Sequence, residues 1–192
     1  MKLRRIEEAD RCLDSRQSNT EIAAQARRLT AELRVAFPDH AVLSEQSVWP
    51  HLTPLNESYP HSEEFAAAKF FGGRRWSEIS GYLLDSGQLS VWSNSPWAIS
   101  EVAFFYFLPG FLDVMICDVT RGPTLASSVV ARLQFMLDRD ETSLVANLPK
   151  LKQSIVLDSL QFCSSIWTTE GYDVTDINDL YQRLLVLDYG QH

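Results

Sequence analysis

The fold is decided by Ser90 to Val119, which read SVWSNSPWAISEVAFFYFLPGFLDVMICDV and form the densest run of large apolar residues in the chain. Ser95-Pro96 predicts a helix start, because serine caps free N–H groups and proline suits the first helical position. The residues that follow are apolar on most sides, which is typical of a central helix covered by others. Since Pro109 cannot continue the hydrogen-bond ladder, we expect a kink or break there and a second helical piece from Pro109 to Val119.

Apolar residues at helical spacing continue on both sides of this stretch. Asp39 to Ser62, which contains three prolines, predicts an irregular loop. Asp138 to Asn147 predicts a polar connection. A short extended piece is expected over Gln88 to Trp92. The helices predicted outside the central stretch are residues 2–17, 19–37, 62–71, 76–79, 124–137, 149–167 and 173–187.

The pattern as a whole predicts a mainly α-helical bundle of about seven helices with at most one or two short strands. Residues 1–192 are expected to form a single globular domain, because the chain contains no internal repeat and no low-complexity linker. Within it we distinguish N-terminal helices in residues 1–40, a core motif region in 65–120 and C-terminal helices in 148–188.

Composition places the chain among ordinary globular proteins, with 45% apolar and 22% charged residues. No apolar run approaches the roughly 20 residues that a membrane span needs. The N-terminus is charged and has no apolar core of a secretory signal. We therefore expect a cytoplasmic protein that does not enter a membrane.

The formal net charge of −8 argues against nucleic-acid binding, which requires a basic face. The charge is unevenly distributed: the first 40 residues hold eight basic and seven acidic side chains, and the remainder holds nine basic and 18 acidic ones. Arg183 is the one basic residue in the last 40 positions, against six acids. Such an acidic end either keeps the protein soluble or attracts a basic partner. Asp173, Asp176 and Asp179 are the candidate partner-binding residues there.

The search for chemistry gives no catalytic, cofactor-binding or metal-ligating residue. The chain has no G-x-S-x-G elbow, no Cys beside a local His, and no glycine spacing typical of a phosphate loop. His40, His51 and His61 lie near one another in sequence but lack metal-ligand spacing. An enzyme with a site assembled from dispersed residues around these histidines stays open as an alternative.

The loop between the second and third predicted helices is the other candidate surface. Trp49, His51, Leu52 and Tyr59 lie in this proline-punctuated segment, where a loop aromatic can anchor a partner. The remaining tryptophans are expected mostly in the core: Trp76, Trp92, Trp97 and Trp167.

One pattern resembles a known family. The residues are Phe70-Phe71-Gly72-Gly73-Arg74-Arg75-Trp76-Ser77-Glu78-Ile79, then Leu89 to Pro96, then Phe105-Tyr106-Phe107-Leu108-Pro109-Gly110-Phe111-Leu112. They are similar to small bacterial proteins of unknown function with a W-x-E-[IL] block, an extended segment and a helix ending in Y-L-P-A-[FY]-L. The resemblance covers residues 65–120, with a looser echo in 148–166. Gly110 stands where alanine is usual and Phe107 where tyrosine is usual, and neither change is expected to affect the fold.

Small acidic proteins of this kind resemble the immunity proteins of interbacterial toxin systems. The resemblance implies a protein that binds a cognate, basic toxin or effector and occludes its active region, and it brings no catalytic residues. A toxin that acts on nucleic acid or anionic lipid tends to have a basic cleft, to which an acidic partner is steered. A non-enzymatic adaptor or scaffold protein would share these features and is the main alternative.

Overall fold

The structure is a computed structural model that describes residues 20–39, 42–50, 62–85, 93–118 and 122–189. In these ranges the chain forms nine α-helices and no strand, which confirms the prediction of a mainly α single-domain bundle. The predicted helix 2–17 and the extended piece 88–92 lie outside the described residues. The helices are α1 Thr20–Ala36, α2 Glu45–Val48, α3 Glu63–Phe71, α4 Trp76–Asp85, α5 Ser95–Ala98, α6 Glu101–Cys117, α7 Gly122–Asn147, α8 Lys150–Thr169 and α9 Thr175–Tyr189.

Helix α6 is the centre of the bundle and packs against α1, α2, α4, α7 and α8. Of its 17 residues 14 are buried, so it presents almost no face to solvent. Phe71 of α3 joins the centre through ring contacts, with centroids 4.9 Å from Phe107 and 5.9 Å from Phe111. Because burying one such side chain contributes about 1.5–3 kcal/mol, this helix supplies much of the stability of the fold.

The predicted helix start at Ser95 is wrong, since the central helix begins at Glu101. Ser100 is its N-cap: the Ser100 hydroxyl accepts the Ala103 N–H at 3.1 Å and donates to the Ser47 carbonyl at 2.7 Å. Ser95 begins only the single turn α5, and Ile99 after it is extended, with φ −111° and ψ 159°. Ser100 is the preferred N-cap because its hydroxyl accepts a free N–H in the first turn of α6 and also donates to a carbonyl of α2.

The predicted break at Pro109 is also wrong, because α6 continues through it to Cys117. A proline inside a helix costs about 3 kcal/mol by removing a hydrogen bond and crowding the preceding turn. Fully buried side chains lie on both sides of it, including Phe104, Leu108 and Leu112. Each contributes about 1.5–3 kcal/mol when buried, so packing along the whole helix outweighs the local cost.

The polar connection predicted for Asp138 to Asn147 is likewise part of a helix. Helix α7 extends to Asn147, and its buried side continues from Leu137 to Leu144 and then to Leu148 just beyond the helix. These leucines are seven and four positions apart, so they stay on one helical face. Asp138 and Arg139, next to Leu137, are exposed on other faces of the same helix.

Helices α4 and α6 approach each other closely at Gly110. A Cβ atom at this position would lie 2.7 Å from the carbonyl oxygen of Trp76. Trp76 is itself held in place, because it is buried and its indole N–H donates to the Phe37 carbonyl at 3.0 Å. Only a hydrogen atom fits between the two backbones, so this packing requires glycine at position 110, where the resembled family usually has alanine.

We predict that Gly110→Ala lowers the free energy of unfolding by about 1–3 kcal/mol, the usual cost of overpacking a core. In an exposed helix the same change would raise it by up to about 1 kcal/mol, because glycine is a poor helix former. Gly81→Ala in α4 is the matched control, since nothing lies within 4 Å of a Cβ atom there. Urea denaturation of both variants measures the difference, and equal stabilisation by both would contradict the close contact.

Candidate functional site

A surface cleft of about 500 Å³ lies where the first turn of α9 meets the first turns of α7. Its lining combines aromatic and acidic side chains, and we call it the acidic cleft. Its lining residues are Asn94, Pro123, Thr124, Ala126, Ser127, Ser128, Val130, Trp167, Tyr172, Asp173, Asp176 and Ile177.

A tight chain reversal between α8 and α9 builds the acidic side of this cleft. Gly171 adopts the left-handed conformation with φ +83°, which ends α8. Its N–H donates to the Thr168 carbonyl at 3.1 Å, and the Tyr172 N–H donates to the Trp167 carbonyl at 2.9 Å. This pair of bonds is the Schellman motif, and it places Tyr172 and Asp173 directly above the end of α8.

Asp173 is held at the start of α9 by two hydrogen bonds. Its carboxylate accepts the Thr175 backbone N–H at 2.9 Å and the Thr175 hydroxyl at 2.7 Å. Both bonds favour the ionised form, so the pKa of Asp173 lies below its ordinary value. The carboxylate is therefore negatively charged at neutral pH and fixed in position.

The charges lining the cleft are those of Asp173 and Asp176, and both are negative. Arg183, the basic residue of the C-terminal region, forms an exposed ion pair with Asp138, with Nη2 and Oδ1 2.6 Å apart. The N-termini of α7 and α9 each contribute a partial positive charge of about 0.5. Two full negative charges exceed the sum of these partial charges, so the cleft favours a cation.

Two aromatic side chains line the cleft, Trp167 and Tyr172. Trp167 is 1% exposed, and its indole N–H has no hydrogen-bond partner among the described residues. Tyr172 stands at the rim with 43% of its surface exposed. A lining that combines two carboxylates with an exposed aromatic side chain suits the flat guanidinium of arginine or the ammonium of lysine, which aromatic faces and carboxylates both attract.

The predicted partner-binding residues are only partly brought together. Asp173 and Asp176 line the acidic cleft, whereas Asp179 is exposed one turn further along α9 and does not line it. Trp49 is half-buried and packs against the core. His51, Leu52 and Tyr59 lie outside the described residues, as do His40 and His61.

The aromatic and polar lining was not predicted from the sequence. Trp167 was expected in the core, and it is buried there while one side lines the cleft. Trp97 was also expected in the core, but 48% of its surface is exposed. The Glu170-Gly171 helix stop was the available signal for Tyr172, because it fixes the residue that follows the turn. No local signal brings Asn94 and Ser127 to this cleft.

Comparisons with protein-family models, curated proteins and solved structures give no match to this chain. Among the residues that the structure describes, no group of three or more His, Cys, Asp or Glu side chains is placed to hold a metal ion. None of the described helices has the length and apolar character required to cross a membrane.

The depressed pKa of Asp173 predicts a pH dependence with a definite sign. The ionised carboxylate stabilises the folded state above its ordinary pKa of 3.8, and this contribution is lost as the pH falls through the lower folded value. Thr175→Val removes the hydroxyl bond, so we expect the pKa of Asp173 to rise towards 3.8. Carbon-detected NMR titration of the carboxyl group measures this, with Asp179 as the internal control. An unchanged Asp173 titration in the variant would contradict the assigned hydrogen bond.

Proposed function

We propose that this chain is an immunity-type binding protein that neutralises a basic bacterial toxin or effector by occluding its active region. The acidic cleft is the contact surface in this proposal, and the observation that carries it is that Asp173 and Asp176 line one cleft together with the exposed Tyr172. A lysine or arginine side chain of the partner enters the cleft, with its charge near the carboxylates and its stem against Tyr172.

The expected ion-pair energies favour a role for the two cleft carboxylates in steering the partner and in selecting it. One ion pair at 4 Å is worth about 1 kcal/mol in water and up to about 4 kcal/mol at the lower effective dielectric of a partly buried site. Closing the cleft with a partner removes water and moves each pair towards the higher figure. The net charge of −8 acts over a longer range and accelerates encounter with a basic surface.

The proposed protein acts in the cytoplasm of the producing cell, where an incoming toxin would otherwise reach its target. The predicted resemblance to small bacterial proteins with the W-x-E-[IL] block and the net charge of −8 are the grounds for proposing this setting. An adaptor that binds a basic partner without neutralising a toxin is the alternative. The two roles differ in one measurable property, which is rescue of a poisoned cell.

We predict that Asp173→Lys, Asp176→Lys and Asp179→Lys, made together, slow association with the partner by tenfold or more at low salt. The remaining association should depend less on salt, because the steering charges have been reversed. Stopped-flow or surface-plasmon kinetics over a range of salt concentrations measures both effects. Unchanged kinetics would remove the acidic end from the proposal.

A matched control separates the cleft from the overall charge. Glu63→Lys, Glu64→Lys and Glu78→Lys change the net charge by the same amount, at exposed acids that also lie in first turns of helices. If the cleft is the contact surface, this control should retain most of the association rate. Equal slowing by both triple variants would show that only the net charge matters.

The function itself is tested by rescue and capture. The product of the neighbouring gene is expressed in a sensitive host with and without this protein, and the two are tested for co-purification. Rescue together with a stable complex is the expected result. Rescue without a complex would favour an enzyme that reverses the damage, and a complex without toxicity would favour the adaptor.

A further inference from the structure

A second cavity, of about 230 Å³, lies further along α7 than the acidic cleft and has the opposite local charge. We propose that it binds a carboxylate carried on a small, flat apolar group. We call it the arginine pocket, and the residues that define it for this purpose are Trp97, Glu101, Arg132, Phe135 and Arg139.

Arg132 is the anion-binding group of the pocket. It is 7% exposed, its Nη1 donates to the Ile99 carbonyl at 2.9 Å, and its guanidinium carbon lies 4.7 Å from the centre of the Phe104 ring. Burial lowers its pKa to about 10, so it stays charged at neutral pH. The nearby Glu101 carboxylate opposes that shift, and Arg132 lines the pocket, so its guanidinium faces the cavity. A guanidinium in this state is ready to bind a carboxylate through two parallel hydrogen bonds.

The charges around Arg132 favour an anion. Arg139 is exposed on the same wall, and Glu101 supplies the one negative charge of the lining. The pocket therefore carries a net positive charge in a chain whose net charge is −8. Because the local charge is positive, the arginine pocket favours an anionic ligand, whereas the acidic cleft favours a cation.

The rim selects a flat apolar group. Trp97 and Phe135 stack edge to face with ring centroids 5.8 Å apart, and they are 48% and 49% exposed. Large exposed aromatics next to a buried charge are typical of a binding surface. The cavity is below the roughly 300 Å³ at which drug-sized pockets begin, so it accommodates a small acid or one C-terminal residue of a peptide.

The alternative explanation is that Arg132 serves the fold alone. Its N–H donates to the carbonyl of Ile99, the extended residue between α5 and α6, and this hydrogen bond is present without a ligand. The two explanations predict different effects on ligand affinity when Arg139 or Glu101 is substituted. Neither of those side chains bonds to the Ile99 carbonyl. If Arg132 served the fold alone, substitutions at Arg139 and Glu101 would therefore not change ligand binding.

The probes are N-acetylphenylalanine, its uncharged amide, and a short peptide ending in a phenylalanine carboxylate. Binding to the full chain is followed by NMR titration of the Trp97 indole N–H, whose signal is assigned with Trp97→Phe. We expect saturable binding of the acids and at least about tenfold weaker binding of the amide, since a hydrogen bond to a charged group is worth roughly that factor or more. A peptide acid that binds more tightly than the free acid would identify a protein C-terminus as the source of the carboxylate, and the reverse order would identify a small molecule.

Three variants decide the proposal. Arg132→Met should abolish acid binding, Arg139→Gln should weaken it several-fold, and Glu101→Gln should strengthen it. Arg34→Gln on the exposed side of α1 is the charge-matched control and should leave binding unchanged. If Arg132→Met fails to fold, the opposite effects at Arg139 and Glu101 still test the site. Equal affinity for acid and amide, or no shift of the Trp97 signal with any probe, would overturn the proposal.

Discussion

The close contact between the Trp76 carbonyl and Gly110 is the constraint on which the bundle depends. It lets α4 lie directly on the backbone of α6, and α6 in turn is covered by four further helices. The Trp76 indole N–H extends the same contact to the end of α1 through the Phe37 carbonyl. Because this helix is enclosed, most of the surface is formed by the helices and turns around it, and Glu101 at its first turn is the one α6 residue that lines either cavity.

The fold class could be predicted from the sequence, but the boundaries of the central helix could not. Apolar spacing identifies helices because the pattern repeats with the helical period. Ser95 and Ser100 are both plausible caps, and only the distant Ser47 carbonyl favours Ser100. Pro109 is a strong local signal for a break, but burial of the residues on both sides of it outweighs that signal. Long-range packing therefore decided what local rules could not.

The candidate site was predictable in its charge and not in its shape. The acidic C-terminal region singled out Asp173 and Asp176, and the glycine after Glu170 marked the turn that presents Asp173. Trp167 and Asn94 join them only through packing of α7 against α8 and α9. Arg132 was missed for a similar reason: its burial and its bond to Ile99 arise from tertiary contacts. Charge is a property of composition, whereas a cavity is a property of the assembled helices.

The central claim is that the chain binds a basic partner through the acidic cleft. Hydrogen–deuterium exchange, measured on this protein alone and in complex with the captured partner, tests it most directly. We expect new protection in residues 172–179 at the start of α9 and in the first turns of α7. Protection confined to other surfaces, with these segments exchanging as in the free protein, would contradict the account.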